Sequence, residues 1–339
     1  MKHRPQAFLI TDKSNIKYLS NFSGSHGFML LTKSARYLFT DFRYLQRARK
    51  SVKKNIRVLD VKEDFKSILV RHRVRFLGIE ESNLTIAKFK KIKTLAGKIR
   101  FTDISGKSES LREIKSKEEI KLITKSQRIN EKVFLAIKKI IQTETHLTEL
   151  KLAHRVRLLA YEFGADDVSF EPIVAFGNHT SIPHHEPDNT KLKKGDIIMI
   201  DMGMKYKGYC SDMTRMIFTA PPTKKQREIY NLVLKAQLSA IKGISSGITG
   251  RKADSLARKI IEKAGYGENY GHAGGHGVGL DIHESPSLSE KYTKRLKVNS
   301  IITVEPGIYF EGKFGVRIED MILITKTGNK NLTSLPKTI

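Results

Sequence analysis

The chain has 339 residues, 39% of them apolar, which suits two domains with their own cores and excludes a disordered chain. Lys and Arg number 62 against 35 Asp and Glu, so the formal net charge is 62 − 35 = +27. No apolar run approaches the roughly 20 residues of a membrane span, and one cysteine, Cys210, excludes an intrachain disulfide. Ala7–Ile10 is too short an apolar stretch for a secretory signal, so a cytoplasmic protein is expected, with Cys210 as a small buried side chain. The charge is uneven. Residues 1–108 carry 25 basic and 8 acidic residues, net 25 − 8 = +17; residues 109–339 carry 37 and 27, net +10. The basic residues are scattered, without interleaved aromatics or a nucleic-acid-binding motif. They read as a solvated surface with at most weak, non-specific nucleic-acid binding.

The first third alternates short strands and helices. Phe28–Leu31 and Tyr37–Thr40 are apolar runs around a polar turn, a predicted hairpin, and Phe76–Ile79 is a predicted buried strand. Ser105–Ser108 reads as a boundary loop, so the expected domains are 1–108 and 109–339. Ser116 followed by Glu119 is a capping-box signature opening a long helix. Ile120, Ile123, Val133, Phe134, Ile137, Ile140 and Ile141 broadly keep its period. A second helix is expected from Thr148 to Phe163, closed by Gly164, with others near 224–243 and 252–264, the last closed by Gly265.

The second domain contains an internal echo. Ile197–Gly203 (IIMIDMG) returns as Ile301–Gly307 (IITVEPG), each an apolar run, a carboxylate and a glycine. Each is followed by another carboxylate, Asp212 or Glu319, on an expected strand, Tyr209–Phe218 or Val316–Ile324. Asp201 and Asp212 are 212 − 201 = 11 apart, which on one straight strand would place them on opposite faces. Gly203 and Gly208 allow a reversal between them, and Pro306, Gly307, Gly312 and Gly315 do the same for Glu305 and Glu319. Two similar half-domains should therefore face each other across one site. Between the echoes lies Gly-rich His272–Gly279, whose spacing does not match a phosphate-binding loop. Four carboxylates packed together repel unless cations compensate them. With a histidine and no thiolate, the set suits two divalent ions such as Mn²⁺, Co²⁺, Fe²⁺ or Zn²⁺. Such a pair activates water and polarises a carbonyl, which is machinery for hydrolysis.

These segments resemble the Xaa-Pro aminopeptidase and prolidase group, the M24 metallopeptidases. The similarity lies in Asp201-Met-Gly, Gly208–Arg215, Gly275–Glu284, Val304–Tyr309 and Gly315–Asp320. It extends to Asn15–Ser20, Thr40–Tyr44 and Leu111–Ile120, and so covers nearly the whole chain. The resemblance implies an α/β (α+β) chain: a pita-bread catalytic domain with an internal pseudo-two-fold repeat, preceded by a smaller α/β creatinase-type N-terminal domain. It implies two metal ions, manganese first, held by Asp201 on one side and His276 on the other, with Asp212 and Glu319 bridging. Glu305 would bind the second ion and shuttle the proton of the attacking water. His184, His272 and His283 would line the substrate, one of them donating to the oxyanion, and Arg317 would orient a ligand carboxylate. His179 and His185 match no role. The substrate class would be peptides with proline second, and the family habit is a homodimer.

The Xaa-Pro bond is a tertiary amide without an N–H, so enzymes that dock substrates through that N–H cannot use it. Some prolidases carry an arginine shortly after the position of His283 that holds a dipeptide's carboxylate. Here Glu284–Ser289 has none, which favours an aminopeptidase over the dipeptidase alternative. A non-peptidase binding protein on the same fold is a second alternative, and a metal-free creatine-cleaving relative a third. The complete carboxylate set argues against both, and the extra N-terminal domain argues against methionine aminopeptidase.

Overall fold

The computed structural model describes residues 4–338; the outermost ends of the two expected domains lie outside the described residues. The chain divides into two compact units between Arg112 and Glu113, rather than after residue 108. The reason is local: Ser105 and Gly106 form a turn, but Lys107–Arg112 coils into a short helix of the first unit.

The first unit is a six-stranded mixed sheet. Its strands are β1 (Ala7–Ile10), β2 (Phe28–Thr32), β3 (Arg36–Thr40), β4 (Arg57–Asp60), β5 (Phe76–Ile79) and β6 (Arg100–Asp103), in the order β4-β3-β2-β1-β5-β6. The expected hairpin is β2–β3, antiparallel, with Phe28 opposite Phe39 and their rings stacked 4.7 Å apart. Helices α1 (Lys13–Ser20), α2 (Phe42–Ser51), α3 (Phe65–Arg71), α4 (Ile86–Ala96) and α5 (Lys107–Arg112) join and follow the strands. Asp12, Asp41, Asp64 and Thr85 cap the first four by accepting from backbone amides of the first turn.

The second unit opens on α6 (Lys117–Thr143). Ser116 accepts from the Glu119 amide and Glu119 accepts from the Ser116 amide, completing the predicted capping box. Next come α7 (Glu149–Glu162), capped by Thr148, and strands β7 (Asp167–Val168) and β8 (Ile173–Phe176). The first half of the site follows as β9 (Ile197–Met202), β10 (Met204–Tyr206), β11 (Tyr209–Cys210) and β12 (Met213–Phe218). Helices α8 (Lys224–Gly243) and α9 (Gly250–Lys263) pack on each other. The second half comprises β13 (Gly275–Gly277), β14 (Glu284–Leu288), β15 (Ile301–Val304), β16 (Gly307–Phe310), β17 (Phe314–Arg317), β18 (Asp320–Ile324) and β19 (Asn329–Asn331).

The halves have one plan. β9 pairs antiparallel with β12, and β15 pairs antiparallel with β18. Between the members of each pair stands a small hairpin, β10–β11 or β16–β17. Each hairpin turns at a left-handed glycine, Gly208 (φ 80°) or Gly312 (φ 66°), where a side chain would be strained. β9 and β15 are buried along their whole length. This is why Ile197–Ile200 is an unbroken apolar run and Ile301–Val304 has Thr303 as its one polar residue, rather than both alternating. Each fully buried Ile or Met there contributes about 1.5–3 kcal/mol.

Candidate metal centre

The backbone places each carboxylate at a strand end or break. Asp201 sits near the end of β9, opposite Thr214 of β12, and Glu305 directly follows β15. Asp212 and Glu319 do not lie on continuous strands as expected. Ser211–Asp212 interrupts β11 and β12, and Ile318–Glu319 interrupts β17 and β18. The break frees each carboxylate from the alternation of a strand and turns it into the site. His276 comes from β13, whose flanking Gly275 lies so close to β15 that an added Cβ would stand 2.1 Å from the Thr303 carbonyl oxygen.

Asp201, Asp212, His276, Glu305 and Glu319 line one cleft of about 450 Å³, together with His184, His272, His283 and Arg317. One ligand atom each from Asp212, His276 and Glu319 lies within 4.8 Å of the others. His276 Nε2 stands 3.3 Å from Glu305 Oε1 and 3.6 Å from Asp212 Oδ2. Its Nδ1 lies 3.1 Å from the Gly277 carbonyl, so the tautomer protonated at Nδ1 donates there and turns the Nε2 lone pair toward the carboxylates.

The electrostatics are those of a cation trap. Burial, then repulsion from Glu319, Asp201 and Glu305, pushes Asp212 well above the usual carboxylate range. Burial, then Glu305 and Asp201, does the same to Glu319. Burial also pushes Glu305 upward, but His276, His272 and Arg317 outweigh it and hold that carboxyl below its ordinary value. Three buried oxygens, Asp201 Oδ1, Asp212 Oδ1 and Glu319 Oε1, have no hydrogen-bond partner among the described residues. Buried carboxylate oxygens are rarely left so, and cations relieve them. The donor set of carboxylates and one imidazole fits hard or borderline divalent ions.

A hydrogen-bond frame holds the ligands. Arg317 Nη2 donates to Asp201 Oδ2 at 2.6 Å, Nε to Thr214 Oγ1 at 3.1 Å, and Nη1 to the Tyr309 hydroxyl at 2.9 Å and the Pro183 carbonyl at 3.1 Å. Thr214 Oγ1 donates to Glu319 Oε2 at 2.8 Å. Thr303 Oγ1 donates to Glu305 Oε1 at 2.9 Å and accepts from the His276 amide at 3.0 Å. Arg215 Nη1 donates to the carbonyls of Thr214 and Glu319, and Nη2 to Asp320 Oδ1 at 2.8 Å. Thr214, Thr303, Tyr309 and Arg215 join the site without an expected role. For the threonines the signal was present: each is two residues from a carboxylate, or opposite one, on a strand of period 2.

The three histidines expected to line the substrate differ, and His185 joins them on the cleft wall. His272 has both nitrogens engaged, Nδ1 with the Ala273 carbonyl at 2.8 Å and Nε2 with the Tyr309 hydroxyl at 3.0 Å. Burial holds its pKa below the ordinary histidine value. His283 packs its ring 4.3 Å from that of His276, and burial, then His276, lowers it too. His184 is exposed on the cleft wall. His185 and His179, without expected roles, both reach Glu149.

A cleft lined by a buried carboxylate cluster, an imidazole and flanking histidines has the donor set of a metal-dependent hydrolase. Residues 121–326 match Metallopeptidase family M24, and residues 2–114 match the Creatinase/Prolidase N-terminal domain. The chain belongs to the M24 metallopeptidases. It is 37% identical over 334 residues to the Xaa-Pro dipeptidase of Pyrococcus horikoshii, covering 98% of this chain and 93% of that protein. The structure of an Xaa-Pro dipeptidase from Bacillus anthracis matches with TM-score 0.95 at 36% identity, covering 99% of this chain and 94% of that one. An X-Pro aminopeptidase from Thermotoga maritima matches with TM-score 0.91 at 34% identity, covering 99% and 97%. The expected fold class holds: a creatinase-type N-terminal domain precedes a mixed α/β catalytic domain of the pita-bread kind. Among the described residues no helix is long and apolar enough to cross a membrane.

Proposed function

We propose that this protein is an Xaa-Pro aminopeptidase that accepts peptides longer than two residues. The observation that carries the reading is the use of cations in the cleft. Arg317 is the only Lys or Arg among the described lining residues, and its donors turn to Asp201, Thr214, Tyr309 and the Pro183 carbonyl. No lining lysine or arginine is left for the free carboxylate of a dipeptide, and Glu186 adds negative charge to the wall, whereas Glu171 is paired with Arg157. A longer peptide carries its carboxylate away from this anionic cleft. The dipeptidase reading is the alternative, and close relatives bear that name.

In this reading Asp201, Asp212, His276, Glu305 and Glu319 hold two divalent ions, manganese being our first choice. Two such ions, when bound, lower the pKa of water and polarise a carbonyl. Glu305 takes the proton of the attacking water and passes it to the proline nitrogen as that amine leaves. Its carboxyl, held below its ordinary value by His276, His272 and Arg317, is ionised and ready to accept. The oxyanion is met by a side-chain N–H from His184 or His283. His272 is assigned a positioning role, because Ala273 and Tyr309 occupy its nitrogens. The carboxylate excess attracts the substrate's charged amino terminus. Phe170, Ile173, Pro183 and Ile282 supply apolar wall for the proline ring. The non-peptidase reading loses ground because every ligand position carries a competent donor.

The test is turnover of Xaa-Pro dipeptides against Xaa-Pro-peptides of three to five residues, on protein of known metal content. Cleavage of the longer peptides at the bond before proline is expected. Activity confined to dipeptides would sink the aminopeptidase preference and leave the metallopeptidase class standing.

A further inference from the structure

Outside the catalytic cluster, one further group of metal-ligating side chains converges among the described residues. Glu149, the first residue of α7, turns its carboxylate inward, where it is fully buried. Oε1 lies 2.9 Å from His179 Nδ1, and Oε2 lies 2.7 Å from His185 Nε2. The two imidazoles face each other, ring centroids 4.4 Å apart. One ligand atom from each of the three residues falls within 4.8 Å of the others, the same closeness as in Asp212, His276 and Glu319.

We propose that Glu149, His179 and His185 form a third divalent-cation site, structural in role, that pins the loop bearing His184 to the start of α7. Two imidazoles and a carboxylate are a usual set for zinc, with water or another oxygen as fourth ligand. The carboxylate is already oriented for ligation: the Phe176 amide donates to Oε1 at 2.7 Å and the Asp188 amide to Oε2 at 3.3 Å. Such fixing of ligand carboxylates by hydrogen bonds is a regular feature of metal sites. Among the described residues, no lysine or arginine forms an ion pair with Glu149; its ionisable partners in ion pairs are the two imidazoles. A fully buried anion needs compensation, which a cation held between carboxylate and imidazoles provides. The site is reachable, since the His179 side chain is 23% exposed.

The location gives the site its consequence. His184 and His185 are neighbours that both line the catalytic cleft, and His185 is also bonded to Glu149. A cation on His185 would fix the position of His184 without sharing a ligand with the catalytic set.

Metal-stripped protein should be dialysed against Zn²⁺ and its bound metal counted by mass spectrometry. Three equivalents are expected for the native protein, two for His179→Gln, and one for the doubly substituted Asp212→Asn, Glu319→Gln. His179→Gln changes a partly exposed side chain, and circular dichroism checks that it folds. A second variant, His185→Gln, should show the same loss of one equivalent. Equal zinc content in native protein and both single variants overturns the third site and means that Glu149 holds its histidines by hydrogen bonds alone. Loss of two equivalents in the carboxylate double variant, with one retained, tests the catalytic pair separately.

Discussion

Thr214 and Glu319 clasp each other from opposite halves of the catalytic domain. The Thr214 hydroxyl donates to Glu319 Oε2 at 2.8 Å, and the Glu319 amide donates to the Thr214 carbonyl at 3.3 Å. Thr214 belongs to the first echo and Glu319 to the second, so one side chain carries the alignment of a carboxylate across the pseudo-symmetry axis.

Replacing Thr214 by Val keeps the shape and removes the hydroxyl. Glu319 then loses its one hydrogen bond to a side chain among the described residues, and Arg317 Nε loses its Thr214 acceptor. Metal affinity or activity should fall about 10–100-fold, the usual effect of removing such a partner. Metal titration of the variant checks this, and an affinity equal to that of the native protein would refute it.

Asp212→Ala or Glu319→Ala should abolish tight metal binding and peptidase activity together. Both carboxylates face the same cluster, and neither has a substitute within it. Full activity in either variant would rule out a two-metal site.

The metal-free protein should lose stability as pH rises toward neutrality. Burial and neighbouring carboxylates hold Asp212 and Glu319 well above the usual range. The folded state therefore keeps protons there that the unfolded chain releases near pH 4. Their contribution is fully present below that unfolded value and is lost as pH climbs through the raised folded values. Melting of chelator-treated protein across pH 4 to 8 should show a fall in Tm that the Asp212→Asn, Glu319→Gln double variant lacks. Parallel curves would contradict the raised carboxyls. Metal binding displaces those protons, so the affinity for metal rises over the same window.

Arg317→Lys should be far from conservative. The guanidinium reaches Asp201, Thr214, Tyr309 and Pro183 at once, and one ammonium cannot span that fork. We expect kcat/KM to fall by about 10–100-fold. Kinetics at saturating metal would separate lost alignment from lost metal, and near-native kcat would refute the role.

Gly275→Ala should destabilise the fold by roughly 1–3 kcal/mol, because the added Cβ meets a backbone oxygen rather than a flexible side chain. Displacement of β13 moves His276 with it, so metal content should drop in step with Tm. A variant of native Tm would show that β15 can recede.

Much of this was legible along the chain because it rests on local chemistry. The Ser116 capping box, the Gly164 stop and the Gly208 and Gly312 turns are each fixed by a few neighbouring residues. The echoed apolar runs are legible too, since a strand buried on both faces leaves no polar alternation. The sequence by itself therefore determined the longer helices and echoed strands of the second domain, the carboxylate set and the family resemblance. It did not disclose the breaks at Asp212 and Glu319, which depend on how β12 and β18 pair across each half. Nor did it disclose the partners of Arg317, or the meeting of Glu149 with His185, contacts made by residues distant in the chain. Those were decided by tertiary structure, for a physical reason. A buried charge must find its partner in space, and propensity and periodicity report only neighbours in sequence.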